Sequence, residues 1–363
     1  MMIIDSHQDL AWNMLTFGRD YTRSVTETRR LESGTSTPEY NGDSIVGWPE
    51  YQRGNVAVVF STLFAAPAKK KEAWDVLVYK DYDTAHRFYR DQMDVYRRLT
   101  DSHPEKFRLI TSTPELDSVI GQWSTPRENG AGFPVGLIQL MEGAEGIRSP
   151  NELSGWWDLG LRMIGLAWAG TRYCGGTGEP GPLTDEGREL IAAMADFNFI
   201  LDLSHMDEVA AYESLDRYEG PVMATHANCA SLVKDSDTNR HLSDDVIRGL
   251  IEREGVVGVI PYNAFLKAGW RRANGSRREE VSVDVLISHI DHICQLAGSS
   301  HHAGIGSDFD GGFGRQSIPH ELDSIADLPV IGTKLMERGY TETDAENILG
   351  GNWLRFLRKN LPS

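Results

Sequence analysis

Short apolar runs alternate along this chain with longer amphipathic stretches. The apolar runs fall at residues 2–6, 56–63, 134–140, 162–166, 199–203, 221–224, 256–260 and 303–307. They are rich in β-branched residues, as expected of strands buried on both faces. Helical periodicity marks residues 84–99, 186–197, 244–254 and 282–297. Thr184 and Ser243 each precede acidic residues and an apolar-periodic run, which predicts that they cap the second and third of these helices. Strand–helix alternation implies parallel strands joined by right-handed crossovers. About eight strands over this length predict an α/β fold of the (β/α)8, TIM-type barrel class with inserted loops, rather than an open doubly wound sheet.

Two segments interrupt the alternation. Residues 18–51 are polar, rich in Thr, Ser and Arg, and lack a clear period, so they read as a functional loop or lid. Residues 263–280 form a second insertion carrying Arg271, Arg272, Arg277 and Arg278. The tail, 341–361, predicts a closing helix with Trp353 and Phe356 on one face. No repeat is visible, and residues 1–363 are expected to form a single domain with those two insertions.

Composition narrows the class. The 363 residues carry a net charge of −17, which disfavours nucleic acid and anionic membrane as partners. No apolar run approaches the ~18 residues of a membrane span. The first ten residues lack a basic stretch followed by an apolar one, which predicts no secretory signal. Three cysteines, an odd and small number, argue against a disulfide framework and for the cytoplasm.

In such a barrel, chemistry gathers at the C-terminal ends of the strands. The first strand ends in Asp5-Ser6-His7-Gln8-Asp9, where alternation lets His7 and Asp9 point the same way. Imidazole and carboxylate together suit a divalent metal such as zinc. Glu142 follows the third apolar run and reads as a metal ligand or a helix cap. His205 and His226 follow the fifth and sixth runs. Alone, either would read as a packed core histidine. Five ligand-type residues at matching strand ends favour a metal centre. The last strand leads into Gly304-Ile305-Gly306-Ser307-Asp308-Phe309-Asp310. The two acidic residues there exclude a phosphate cradle, and Asp308 is the chosen proton acceptor, with Asp310 a loop or supporting group. Arg240 reads either as a fork for a substrate carboxylate or as a surface ion pair.

Taken in order, these residues with Thr225-His226-Ala227-Asn228, Arg240-His241-Leu242-Ser243 and Gly350-Gly351-Asn352-Trp353 resemble the renal (membrane) dipeptidase family of zinc metallopeptidases over nearly the whole chain. The resemblance implies two zinc ions, one held by His7 and Asp9, the other by His205 and His226, with Glu142 bridging them. It implies that a bridging hydroxide attacks the carbonyl of a dipeptide or related short amide. Asp308 would then be the acid/base, Arg240 the grip on the terminal carboxylate, and Tyr262 a pocket residue. D-residues at the C-terminal position fall within the expected substrate range, and a homodimer is the implied assembly. One position departs from the pattern: Trp168 stands where the family places a His that contacts the substrate carbonyl. An indole N–H donates one hydrogen bond but carries no proton or charge, so Arg172 nearby is a candidate substitute. Two other readings remain: a metal-dependent hydrolase of esters, lactones or phosphoesters, and a non-catalytic barrel that keeps the metals. The His-x-His start usual in the first of these is absent.

Overall fold

All eight apolar runs form strands, and each strand is buried along its whole length: β1 Ile3–Gln8, β2 Val56–Leu63, β3 Val135–Glu142, β4 Met163–Gly165, β5 Ile200–Asp202, β6 Val222–Met223, β7 Val257–Val259 and β8 Ala303–Ile305. The computed structural model describes residues 1–70, 72, 74–126, 132–234, 236 and 238–363. Parallel ladders join the strands in the order β6-β5-β4-β3-β2-β1-β8-β7. A parallel bridge between Ala224 and Val257 brings β6 against β7, so the sheet is a nearly closed cylinder of the (β/α)8 type. Because every neighbour in space is a neighbour in sequence, all eight C-terminal strand ends open on one rim.

The crossover helices follow their caps. Asp81 accepts the Thr84 amide at 2.7 Å and starts helix Tyr82–Ser102, whose buried Ala85, Tyr89, Met93, Tyr96 and Leu99 recur every three or four residues against the barrel. Thr184 accepts the Gly187 amide at 3.0 Å ahead of helix Asp185–Asp196. Ser243 accepts the Val246 amide at 3.4 Å ahead of helix Asp244–Glu252. Inside the cylinder, the Ser6 hydroxyl lies 2.5 Å from the Thr225 carbonyl and 2.9 Å from that of Ile305, bridging β1 to the ends of β6 and β8. Gly258 and Gly306 have to be glycines, since a Cβ on either would run into the Thr225 carbonyl.

The sequence reading misses a ninth strand, Phe107–Leu109, which pairs with β3 outside the ring. It also misses an antiparallel hairpin, Cys174–Gly176 with Glu179–Leu183. Both are too short or too Gly/Pro-rich to show a period of two. Residues 18–51 are not irregular: they carry helices Val25–Glu32, Thr37–Tyr40 and Trp48–Gly54. Asp310 anchors them. Its carboxylate accepts from Ile45 N at 3.0 Å and from Tyr21 Oη and Ser44 Oγ at 3.1 Å, and it pairs with Arg19 Nη1 at 3.1 Å. The tail is helix Glu342–Glu346, a π-helical turn Asn347–Gly351 and helix Asn352–Asn360, with Trp353 and Phe356 buried. The three cysteines are buried free thiols. Among the described residues no helix is long and apolar enough to cross a membrane.

Candidate metal centre and substrate cavity

The strand ends bring the sequence-distant ligands to one place. Glu142 Oε1 lies 3.0 Å from His205 Nε2, 3.3 Å from His226 Nε2 and 3.7 Å from His7 Nε2. His7 Nε2 lies 3.7 Å from Asp9 Oδ2 and 3.9 Å from Asp308 Oδ1. Two ligand triads therefore share Glu142: His7, Asp9 and Glu142 on one side, Glu142, His205 and His226 on the other. All five side chains are buried. His205 and Asp308 sit in left-handed backbone, with φ of 66° and 56°. Such conformations are uncommon for residues with a Cβ and here aim side chains that an ordinary strand end would not.

Hydrogen bonds fix which imidazole nitrogens are free. The Thr225 hydroxyl lies 2.5 Å from Asp202 Oδ2, and a carboxylate can only accept, so Thr225 donates. Its oxygen, 2.8 Å from His226 Nδ1, must then accept the Nδ1 proton. Thr177 Oγ1 lies 3.0 Å from His205 Nδ1, so that Nε2 is the nitrogen left facing the centre. His226 thus carries its proton on Nδ1 and presents a bare lone pair at Nε2. The Nε2 atoms of His226 and His205 stand 2.9 Å apart and both face Glu142 Oε1. Three basic atoms this close call for a positive charge among them, either a proton on one of them or a metal ion bound to all three. Asp9 Oδ1 is a further buried acceptor without a partner. The donor set, imidazole nitrogens and carboxylate oxygens backed by hydroxyl and carboxylate groups, fits zinc or a similar divalent ion. The sequence reading carries Asp202 and Thr225 only as members of motifs, without a role, and misses Thr177; the available signal was Asp202, a charged residue closing an otherwise apolar strand.

Electrostatics point the same way. Burial raises the Glu142 carboxyl well above its ordinary range, with His7 pulling the other way. Burial likewise pushes the Asp308 carboxyl up to about 8. Burial alone would lower His7, but Glu142, Asp9 and Asp308 outweigh it and hold the imidazole at about 10. His205 and His226 are driven well below their ordinary value by burial and by the nearby positive charges of Arg240 and His7. Burial thus disfavours the ionised carboxylates here unless a positive charge is set among them. Gly311 leaves room for the Asp308 carboxylate, because a Cβ there would run into its oxygen.

Above the centre opens a cavity of about 790 Å³, into which Asp9, Glu142, His205, Trp168, Arg240, Tyr262 and Asp308 face. Arg240 is 2% exposed. Its Nη2 donates to the His226 carbonyl at 2.6 Å, while Nε and Nη1 have no partner among the described residues. The ion-pair alternative for Arg240 is therefore set aside: it is a buried guanidinium with two donors to spare. Tyr262 stacks on Phe313 at 4.2 Å and meets Phe265 edge-on at 4.8 Å. Trp168 lies beside His205, ring centres 6.3 Å apart. Arg172 does not reach the cavity. Its guanidinium is bonded to the Ile147 carbonyl and the Tyr173 hydroxyl and lies over the Tyr82 ring, so it is no substitute for the missing histidine.

Comparison with known proteins follows the same lines. The model of the family described as "Membrane dipeptidase (Peptidase family M19)" matches residues 1–361. An uncharacterized protein encoded in the pqqA 5' region of Klebsiella pneumoniae is 32% identical over 277 residues, covering 74% of this chain and 94% of that protein. An uncharacterized dipeptidase of Schizosaccharomyces pombe is 28% identical over 373 residues, covering 98% of this chain and 80% of the relative. Among solved structures, a metallopeptidase of Rhodobacter sphaeroides, liganded with a phosphinate mimic of the dipeptide L-Ala-D-Ala, superposes with a TM-score of 0.77 at 22% identity, over 99% of both chains.

Proposed function

This chain belongs to the membrane dipeptidase family, peptidase family M19, and is a metallo-dipeptidase; on that premise we propose that it hydrolyses dipeptides and closely related short amides with two zinc ions bound. His7 and Asp9 would hold one ion, His205 and His226 the other, and Glu142 would be shared. The observation that carries this reading is the convergence of the His205 and His226 Nε2 atoms on one carboxylate oxygen, with Thr177 and Thr225 behind their Nδ1 atoms.

When bound, the ions supply a nucleophile from water near neutral pH and polarise the scissile carbonyl. The protein's own groups do the rest. Arg240 binds the substrate's terminal carboxylate through its two spare donors, which limits substrates to those whose carboxylate lies one residue from the scissile bond. Asp308, a half-buried carboxyl at the centre, takes a proton as the nucleophile forms and returns it to the leaving amine. The Trp168 indole N–H makes no hydrogen bond among the described residues and is available to a substrate carbonyl. Tyr262 and Phe265 flank Arg240 and form the floor for the C-terminal side chain. A D-residue there is included in the reading, with support from the mimic bound by the R. sphaeroides relative. The test is a dipeptide panel with L- and D-residues at the C-terminal position, assayed on zinc-loaded and chelator-treated protein. Chelator-sensitive cleavage of dipeptides but not of longer peptides is expected. Equal activity without metal, or preference for esters or lactones, would overturn the reading.

A further inference from the structure

The cavity has two unlike walls. On one side, Arg240 packs against Phe265 with its guanidinium carbon 5.4 Å from the ring centre, and Tyr262 and Phe313 follow. On the other, a ladder of rings runs outward from the metal centre. Trp168 sits beside His205, Phe64 is 5.1 Å from Trp168, Trp12 is 6.2 Å from Phe64, Trp74 is 5.9 Å from Trp12, and Tyr40 stacks on Trp74 at 5.4 Å. If the terminal carboxylate is held at Arg240 and the scissile carbonyl at the metal centre, the N-terminal residue of the substrate faces this second wall. We propose that the Trp168–Phe64–Trp12–Trp74 wall receives the N-terminal side chain and selects large apolar residues, aromatic ones above all. The inference rests on the dipeptidase reading above and adds the substrate class to it.

Three features favour an apolar occupant over a cationic one. The wall is built of ring faces and edges locked by tilted and edge-to-face contacts, so it is shaped before substrate arrives. The charged groups nearest to it, Glu39, Lys70 and Glu72, are solvent-exposed at the mouth, mixed in sign and screened. Asp75 sits deeper, its Oδ1 already accepts from Leu77 N at 3.1 Å and Trp12 Nε1 at 3.4 Å, and burial raises its pKa. An ammonium group would find little unspent negative charge there, whereas an aromatic side chain would lose water-exposed surface on several sides.

The test uses zinc-loaded protein and dipeptides X-Ala with X = Phe, Leu, Ala, Gly, Lys and Glu. The expected kcat/KM for Phe-Ala exceeds that for Ala-Ala at least about tenfold, as apolar pockets discriminate. In W74A the Phe-to-Ala ratio should collapse to within about threefold, and W74F should restore most of it. In parallel, calorimetry compares binding of the uncleavable reduced-bond analogues of Phe-Ala and Ala-Ala. Equal binding of the two, a preference for Lys-Ala, or a ratio unmoved by W74A overturns the inference. Cleavage of every dipeptide alike defeats the selectivity and spares the dipeptidase reading. Tighter binding of the Phe analogue without cleavage of any dipeptide supports the wall's role and defeats that reading instead.

Discussion

Replacing Arg240 with Met should separate substrate recognition from folding. Among the described residues, Arg240 is a buried cation with one hydrogen-bond partner, the His226 carbonyl at 2.6 Å, and two idle donors, Nε and Nη1. Burial depresses its pKa to about 10 even though Asp308, Glu142 and Asp202 pull the other way. The folded protein thus holds this charge at a cost, which is reasonable only if a ligand anion offsets it. Removing one member of a buried, hydrogen-bonded charge pair costs about 2–5 kcal/mol. At ~1.4 kcal/mol per tenfold, R240M should lower kcat/KM for a dipeptide by roughly 30-fold to several thousand-fold. The corresponding dipeptide amide, which has no carboxylate to lose, should fall far less. Stability should move the opposite way. Unpaired buried polar groups cost ~1–3 kcal/mol each, and R240M removes the unpaired Nε and Nη1 donors while leaving one carbonyl, that of His226, unpaired, so the melting temperature of zinc-loaded R240M should rise. Steady-state kinetics on the acid and amide pair, with a thermal melt, checks both halves. An equal loss on both substrates, or a lower melting temperature, would refute the reasoning.

T225V keeps the shape of the side chain but removes the hydroxyl between Asp202 and His226; zinc affinity should weaken ~10–100-fold in competition with a chromophoric chelator, and an unchanged affinity would show that the tautomer is fixed otherwise. D308N should keep its metal content while turnover drops by about 10²–10⁴; retained turnover would move proton transfer elsewhere. Burial holds His241 down at about 4 and His289 at about 3, so both are neutral in the folded chain at pH values where the unfolded chain protonates them. A depressed histidine contributes stability that is lost as pH falls from about 6.5 toward 4, because the unfolded state binds the extra proton. The melting temperature should therefore drop across that window, and H241L should drop less steeply; parallel curves would remove His241 from the effect.

The sequence carries the barrel because its strands are buried on both faces, so a bare apolar run is enough to mark each one. Strand ends then locate His7, Asp9, Glu142, His205, His226 and Asp308 without side-chain geometry. What the sequence leaves out is what depends on contacts between distant residues. Segment 18–51 looked aperiodic because it is anchored by a buried polar group, Asp310, that lies some 260 residues further on. Arg172 looked available because its neighbours in sequence are close to the site, yet its bonds to Ile147 and Tyr173 turn it away. The tautomers of His205 and His226 depend on Thr177 and Thr225, whose roles follow only from which hydroxyl meets which acceptor. The positive φ at His205 and Asp308 has only a faint marker in residue type, since Asp and His enter left-handed backbone more readily than most residues with a Cβ.

The most direct measurement is the zinc content of the purified, reconstituted chain by mass spectrometry of the metals, for the wild type and for Glu142→Gln. Close to two ions per chain, falling to one or fewer in the variant, is expected if a single carboxylate serves both triads. A wild-type chain with all five side chains intact that retains no zinc, or a variant that still holds two, would contradict the shared centre.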